Sequence, residues 1–129
     1  MKILVGYNGS QLSQRALTVA QKHAKAMQAE LHVFTSAGAS DGEQVKNAKL
    51  ESSLKEARMM CSACQIDCRT EMSENDLPAA EDLIRYANEQ QVDEIVIGLP
   101  KRSQLGKLIF GSTSRQVLLE APCPVLTVK

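Results

Sequence analysis

Aromatic residues are scarce in this chain, with no Trp, two Tyr and two Phe among 129 residues. Proteins that hold single-stranded nucleic acid stack bases on aromatic side chains, and few are offered here. Net charge is missing too, since 15 Lys and Arg balance 15 Asp and Glu. No broad field of one sign draws the chain to a nucleic-acid backbone or an acidic membrane surface. Long hydrophobic runs are also absent. The opening MKILVGYNGS turns polar too soon for a signal peptide. Nowhere does an apolar run reach the ~20 residues of a membrane-spanning helix. The expectation is a cytoplasmic protein with no nucleic-acid or membrane partner, its four cysteines kept reduced.

What is present is regular alternation. KILVG has the short aliphatic pattern of a strand buried on both faces. Asn8-Gly9-Ser10 supplies turn and cap chemistry. Ala16, Leu17, Ala20, Ala24 and Met27 then recur at helical spacing, which predicts an amphipathic helix from Ser10 to Gln28. ELHVFTS reads as a second strand and AGASDG as a flexible loop. Glu43 to about Cys64 reads as a long helix with Leu50, Leu54, Ala57 and Cys61 along one face. IDCRTEM alternates as a strand with one wetter side. Pro78 is tolerated in the first turn of a helix carrying Ala80, Leu83, Ile84 and Ala87. DEIVIG is another buried strand. Ser112 is placed to cap a helix with Val117 and Leu118 inward, and PVLTV supplies the last strand. Strands alternating with helices imply a parallel sheet with right-handed crossovers and helices on both faces. With no internal repeat and no interdomain linker, residues 1–129 are expected to form one doubly wound α/β domain.

In such a sheet the ligand crevice lies beyond the carboxyl ends of the strands, where the winding direction reverses. Two loops at such ends carry unusual chemistry: GYNGS after the first strand and GLPKRSQLGKLIFGSTS after the fourth. In the second, Gly98 lets backbone turn sharply or approach closely. Gly111-Ser112-Thr113 opens a helix, with free N–H groups and the positive end of its dipole available to an anion. Hydroxyls on Ser112, Thr113 and Ser114 add donors, and Lys101, Arg102 and Lys107 add positive charge. A phosphate group suits this combination. The same residues also fit an ordinary strand-to-helix connection with Ser112 as N-cap and solvated basic side chains.

The chain resembles the universal stress protein family almost end to end. ILVGYNGSQLSQRAL is similar to that family's opening strand and first helix, and APCPVLTVK to its closing segment. The family's nucleotide-binding loop is glycine, two residues, glycine, nine residues, then glycine followed by Ser or Thr. Here that register gives Gly98, Leu99-Pro100, Lys101, the nine residues from Arg102 to Phe110, and Gly111-Ser112. The resemblance implies a five-stranded parallel sheet in the order 3-2-1-4-5 and a homodimer paired through the last strand, Pro124 to Val128. That strand is short and apolar at a sheet edge, which invites pairing unless Pro124 and Lys129 protect it. The resemblance also implies an adenine nucleotide, ATP, between the first and fourth strands. Carried over residue by residue, Gly6, Tyr7 and Asn8 would lie beside base, ribose and any metal, and Ser36 against adenine. Ile97 and Gly98 would approach the ribose, and Gly111, Ser112 and Thr113 would hold phosphates. Two positions depart from the pattern. Asn8 stands where binding members usually have aspartate; it can bond a ribose hydroxyl but is a poor ligand for magnesium or manganese. Lys101 replaces the middle glycine, and its ammonium either meets a phosphate directly or lies across the cleft and closes it.

Cys61, Cys64 and Cys68 form the other notable cluster. Residues three apart share a helix face, so two thiolates could meet a metal, but a tetrahedral site would lack its fourth ligand. The simpler expectation is Cys61 in the core, Cys64 half-exposed, Cys68 in a strand and Cys123 in buried packing. His23 reads as a surface residue and His32 as a satisfied sheet histidine. No nucleophile–base set and no paired carboxylates stand near a glycine loop, which argues against a dedicated enzyme beyond slow, incidental hydrolysis. Three functions are consistent with these residues. One is a stress-response dimer whose bound nucleotide alters its interactions with protein partners. The second is a non-binding dimer acting as an interaction module, and the third a thiol-based redox or metal sensor.

Overall fold

The computed structural model describes residues 1–37, 43–100 and 111–129, with residues 43–46 described by backbone alone. Five strands are seen: β1 (Lys2–Gly6), β2 (Glu30–Ser36), β3 (Cys68–Ser73), β4 (Glu94–Gly98) and β5 (Val125–Val128). All neighbours pair in parallel, in the order β3-β2-β1-β4-β5. The chain winds outward from β1 to β3, returns to the other side of β1, and winds outward again to β5. The direction therefore reverses between β1 and β4. Ile3, Leu4 and Val5 have no exposed surface, the signature of a central strand covered on both faces.

Four helices provide that cover: α1 (Gln11–Met27), α2 (Glu43–Ala63), α3 (Ala79–Glu89) and α4 (Ser112–Glu120). One core joins Ile3, Val5, Leu31 and Val33 to Ala16, Leu17 and Ala20 of α1 and to Leu54, Ala57 and Cys61 of α2. The opposite core joins Leu4, Phe34, Ile95 and Ile97 to Leu83, Tyr86 and Ala87 of α3 and to Val117 of α4. Ser10 is the N-cap of α1, its hydroxyl accepting from Ser13 N–H at 3.2 Å. Gln28 ends that helix in the left-handed region at φ 52°.

Three expectations need correction. Met27 is 54% exposed, because the buried stripe of α1 closes at Ala24 and the last turn runs past the sheet. Gly111, not Ser112, is the N-cap of α4; its extended backbone (φ −62°, ψ 157°) puts Ser112 one residue inside the helix. Leu118 is exposed, since successive helix residues point about 100° apart and only Val117, with Ser114 one turn earlier, faces inward. Of the loop expected to be flexible, AGASDG at 37–42, Ala37 is buried and its N–H donates to the Ser73 carbonyl at 3.0 Å, while residues 38–42 lie outside the described residues.

Candidate functional site

The first loop leaves β1 under tight constraint. Gly9 has φ +83°, and a Cβ there would stand 2.4 Å from Ser53 Oγ of α2, so glycine is required twice over. The Asn8 side-chain oxygen accepts from Ser10 N–H at 3.0 Å, an Asx turn that delivers the chain to the α1 cap. Tyr7 is held by its backbone: its N–H donates to the Phe34 carbonyl at 2.9 Å, and its carbonyl accepts from Thr35 Oγ1 at 2.6 Å. The Tyr7 side chain belongs to the core beside α2, and its buried hydroxyl has no hydrogen-bond partner among the described residues. Burial, then Glu56 and Cys61, raise its pKa.

Beyond the carboxyl ends of β1 and β4 lies a cleft of about 350 Å³, within the ~300–1,000 Å³ typical of small-molecule sites. Gly6, Tyr7 and Asn8 form one wall, and Ile97, Gly98 and Pro100 form another. Phe34 and Ser36 from β2, Ala79 and Leu83 from α3, and Thr113, Ser114 and Val117 of α4 complete the lining. Gly111 and Ser112 stand exposed at the start of α4, and among the described residues a Cβ on Gly111 would meet nothing within 4 Å. The first turn of α4 contains no acidic residue, leaving its N–H groups and dipole uncompensated by a carboxylate. Lys101, with Arg102 and Lys107, lies outside the described residues.

Leu12, Ser10 and Ser13 also line this cleft and carried no site expectation. Leu12 explains one glycine: a Cβ on Gly98 would stand 2.5 Å from Leu12 Cγ. Asp82 of α3 was equally unforeseen. It has no exposed surface, yet accepts from Ser36 Oγ at 2.9 Å, from Arg85 Nη2 and Nε at 2.7 and 3.1 Å, and from Asn75 Nδ2 at 3.5 Å. Burial works against its charge, but hydrogen bonds from Ser73, Arg85, Ser36 and Asn75 together lower its pKa. The available signal was an acid set among the apolar positions Ala80, Leu83 and Ala87; its partners from β2 and the loop after β3 are close only in space.

The titratable residues outside the cleft have structural roles. His32 is buried, with Nδ1 2.9 Å from the Tyr86 hydroxyl and Nε2 2.9 Å from Glu30. His23 stands at the surface as expected, its side chain 39% exposed, with Nδ1 2.9 Å from Glu94 Oε1. Cys61 and Cys64 do not share a face: Cys61 is buried and Cys64 exposed, because α2 stops at Ala63. The partner of Cys61 is Cys68, whose hydrogen bond lowers the Cys61 pKa to about 7, against burial and with help from Gln21. The same contact, with burial, raises that of Cys68. Among the described residues no His, Cys, Asp and Glu group is arranged to hold a metal, and no helix is long and apolar enough to cross a membrane.

The family model described as the universal stress protein family matches residues 1–129. The chain belongs to that family. A universal stress protein of Thermus aquaticus is 31% identical, the match covering 98% of this chain and 97% of the relative. The solved universal stress protein of Archaeoglobus fulgidus superposes with a TM-score of 0.91 at 28% identity, over 100% of this chain and 98% of its own. A universal stress protein solved in complex with cAMP aligns with a TM-score of 0.79 at 25% identity, over 100% of this chain and 97% of its own.

Proposed function

We propose that this universal stress protein binds an adenine nucleotide, ATP in the first instance, in the cleft between β1 and β4. It would act as a homodimer in which the bound state regulates interactions with protein partners. The observation that carries the reading is a cleft lined by two kinds of group. Phe34 and Leu83 offer apolar surface for a base, and the first turn of α4, with Thr113 and Ser114, offers free N–H groups and hydroxyls for an anion. The cAMP complex of a relative supports the same ligand class. Gly6, Tyr7 and Asn8 would flank base and ribose, Ile97 and Gly98 the ribose, and Gly111, Ser112 and Thr113 the phosphates, with Lys101 a further phosphate contact. The dimer would pair through β5, which bonds β4 on one side only. No residue is assigned to catalysis.

Calorimetric titration of the nucleotide-stripped protein with ATP, with and without magnesium, tests the reading. Saturable binding, little changed by magnesium because Asn8 offers a neutral amide, is the expected result. Gly111→Val should weaken it at least tenfold while costing the free protein no more than about 1 kcal/mol, since a Cβ there meets none of the described residues. Full affinity in that variant would remove α4 from the site. Absence of binding to the native chain, with recovery in Lys101→Gly, would favour the non-binding interaction module.

A further inference from the structure

We infer that Ser36, held in one orientation by Asp82, makes the cleft select bases that present a hydrogen-bond donor, as the 6-amino group of adenine does, over bases presenting a 6-oxo acceptor. The inference deepens the nucleotide reading and rests on it.

The first step is the direction of one hydrogen bond. Ser36 Oγ lies 2.9 Å from Asp82 Oδ2. Asp82 is fully buried, but the Arg85 guanidinium grips its other oxygen at 2.7 and 3.1 Å and keeps it ionised. An ionised carboxylate only accepts, so the Ser36 hydroxyl must donate. A serine has one such proton. Towards the cleft, which Ser36 lines, its oxygen can then only accept.

The second step is position. Ser36 ends β2, and the anion-seeking turn of α4 follows β4; β1 lies between them. Two strand spacings put about 10 Å between the ends of β2 and β4. In the nucleotide reading, phosphates at α4 leave the base to the β2 side of the cleft, where Phe34 and Ser36 line it. A 6-amino group would give Ser36 the donor it lacks. A 6-oxo group would set two acceptors face to face, leaving both unpaired. Asp82 cannot swing to relieve this, because Arg85 and Asn75 fix it as well.

The test compares AMP with IMP, which carry an amino and an oxo group at the same ring position, by calorimetry on the full chain. The native protein should prefer AMP by about tenfold to a hundredfold. Ser36→Ala should bring the two within about threefold, mainly by weakening AMP, and Ser36→Thr, which returns the hydroxyl, should restore the ratio. Thermal melts establish that each variant is folded, and neither change touches the Arg85–Asp82 pair. Equal, saturable binding of AMP and IMP by the native chain would overturn the base selection while leaving nucleotide binding intact. So would a preference unchanged in folded Ser36→Ala. Binding of neither would remove the nucleotide reading, and this inference with it.

Discussion

A carboxylate with no exposed surface persists at Asp82 because four side chains direct donors at it. Its pKa is lowered from the 3.8 of a free carboxyl, so the unfolded chain takes up the proton first as pH falls. The stability it contributes is complete above about pH 3.8 and lost as pH falls through the folded value. Urea midpoints of the native protein should therefore drop through that acid window. Asp82→Asn should start lower at neutral pH and change less across it; an equally steep profile in the variant would show that other groups drive acid unfolding. At this scale the sequence is only partly legible. Residues tied to a loop or a chain neighbour, such as Gly9, Asn8 and Ser10, declare themselves through turn chemistry. The burial of Asp82 and the Cys61–Cys68 contact do not, because Ser36, Ser73, Asn75 and Cys68 come from other elements than the residues they meet.

Elements follow from the spacing of their apolar residues, and so do the errors in reading them. Four alternating strand–helix units are visible because KILVG, ELHVFTS and DEIVIG are compact aliphatic runs and the helices repeat at three and four residues. Their ends are less visible, since Met27 and Leu118 continue an apolar pattern beyond the surface that buries it. Val117→Ala should thus cost about 1–3 kcal/mol in chemical denaturation, whereas Leu118→Ala should stay within about 0.5 kcal/mol. Equal costs would mean that α4 presents a different face to the sheet. The termination of α2 at Ala63 gives a second expectation. In a thiol titration of native protein Cys64 should react first, and Cys61 only on unfolding. Early loss of Cys61 would contradict its burial between α2 and the sheet.

For the molecule as a whole, a parallel sheet follows from the chain's alternation, and its strand order from the resemblance to one family. Self-association lies beyond one chain's internal geometry. If β5 pairs with its copy, sedimentation should give a dimer at micromolar concentration, whereas a monomer throughout would remove that pairing from the functional account. The cleft also brings residues from the two halves of the chain into direct contact. Leu12, near the start, occupies the volume that any side chain on Gly98 would need. Gly98→Ala should cost about 1–3 kcal/mol on its own, and Leu12→Ala should recover part of that loss in the double variant. The two positions act as one packing unit: a larger residue 98 fits this cleft without strain only where residue 12 is smaller.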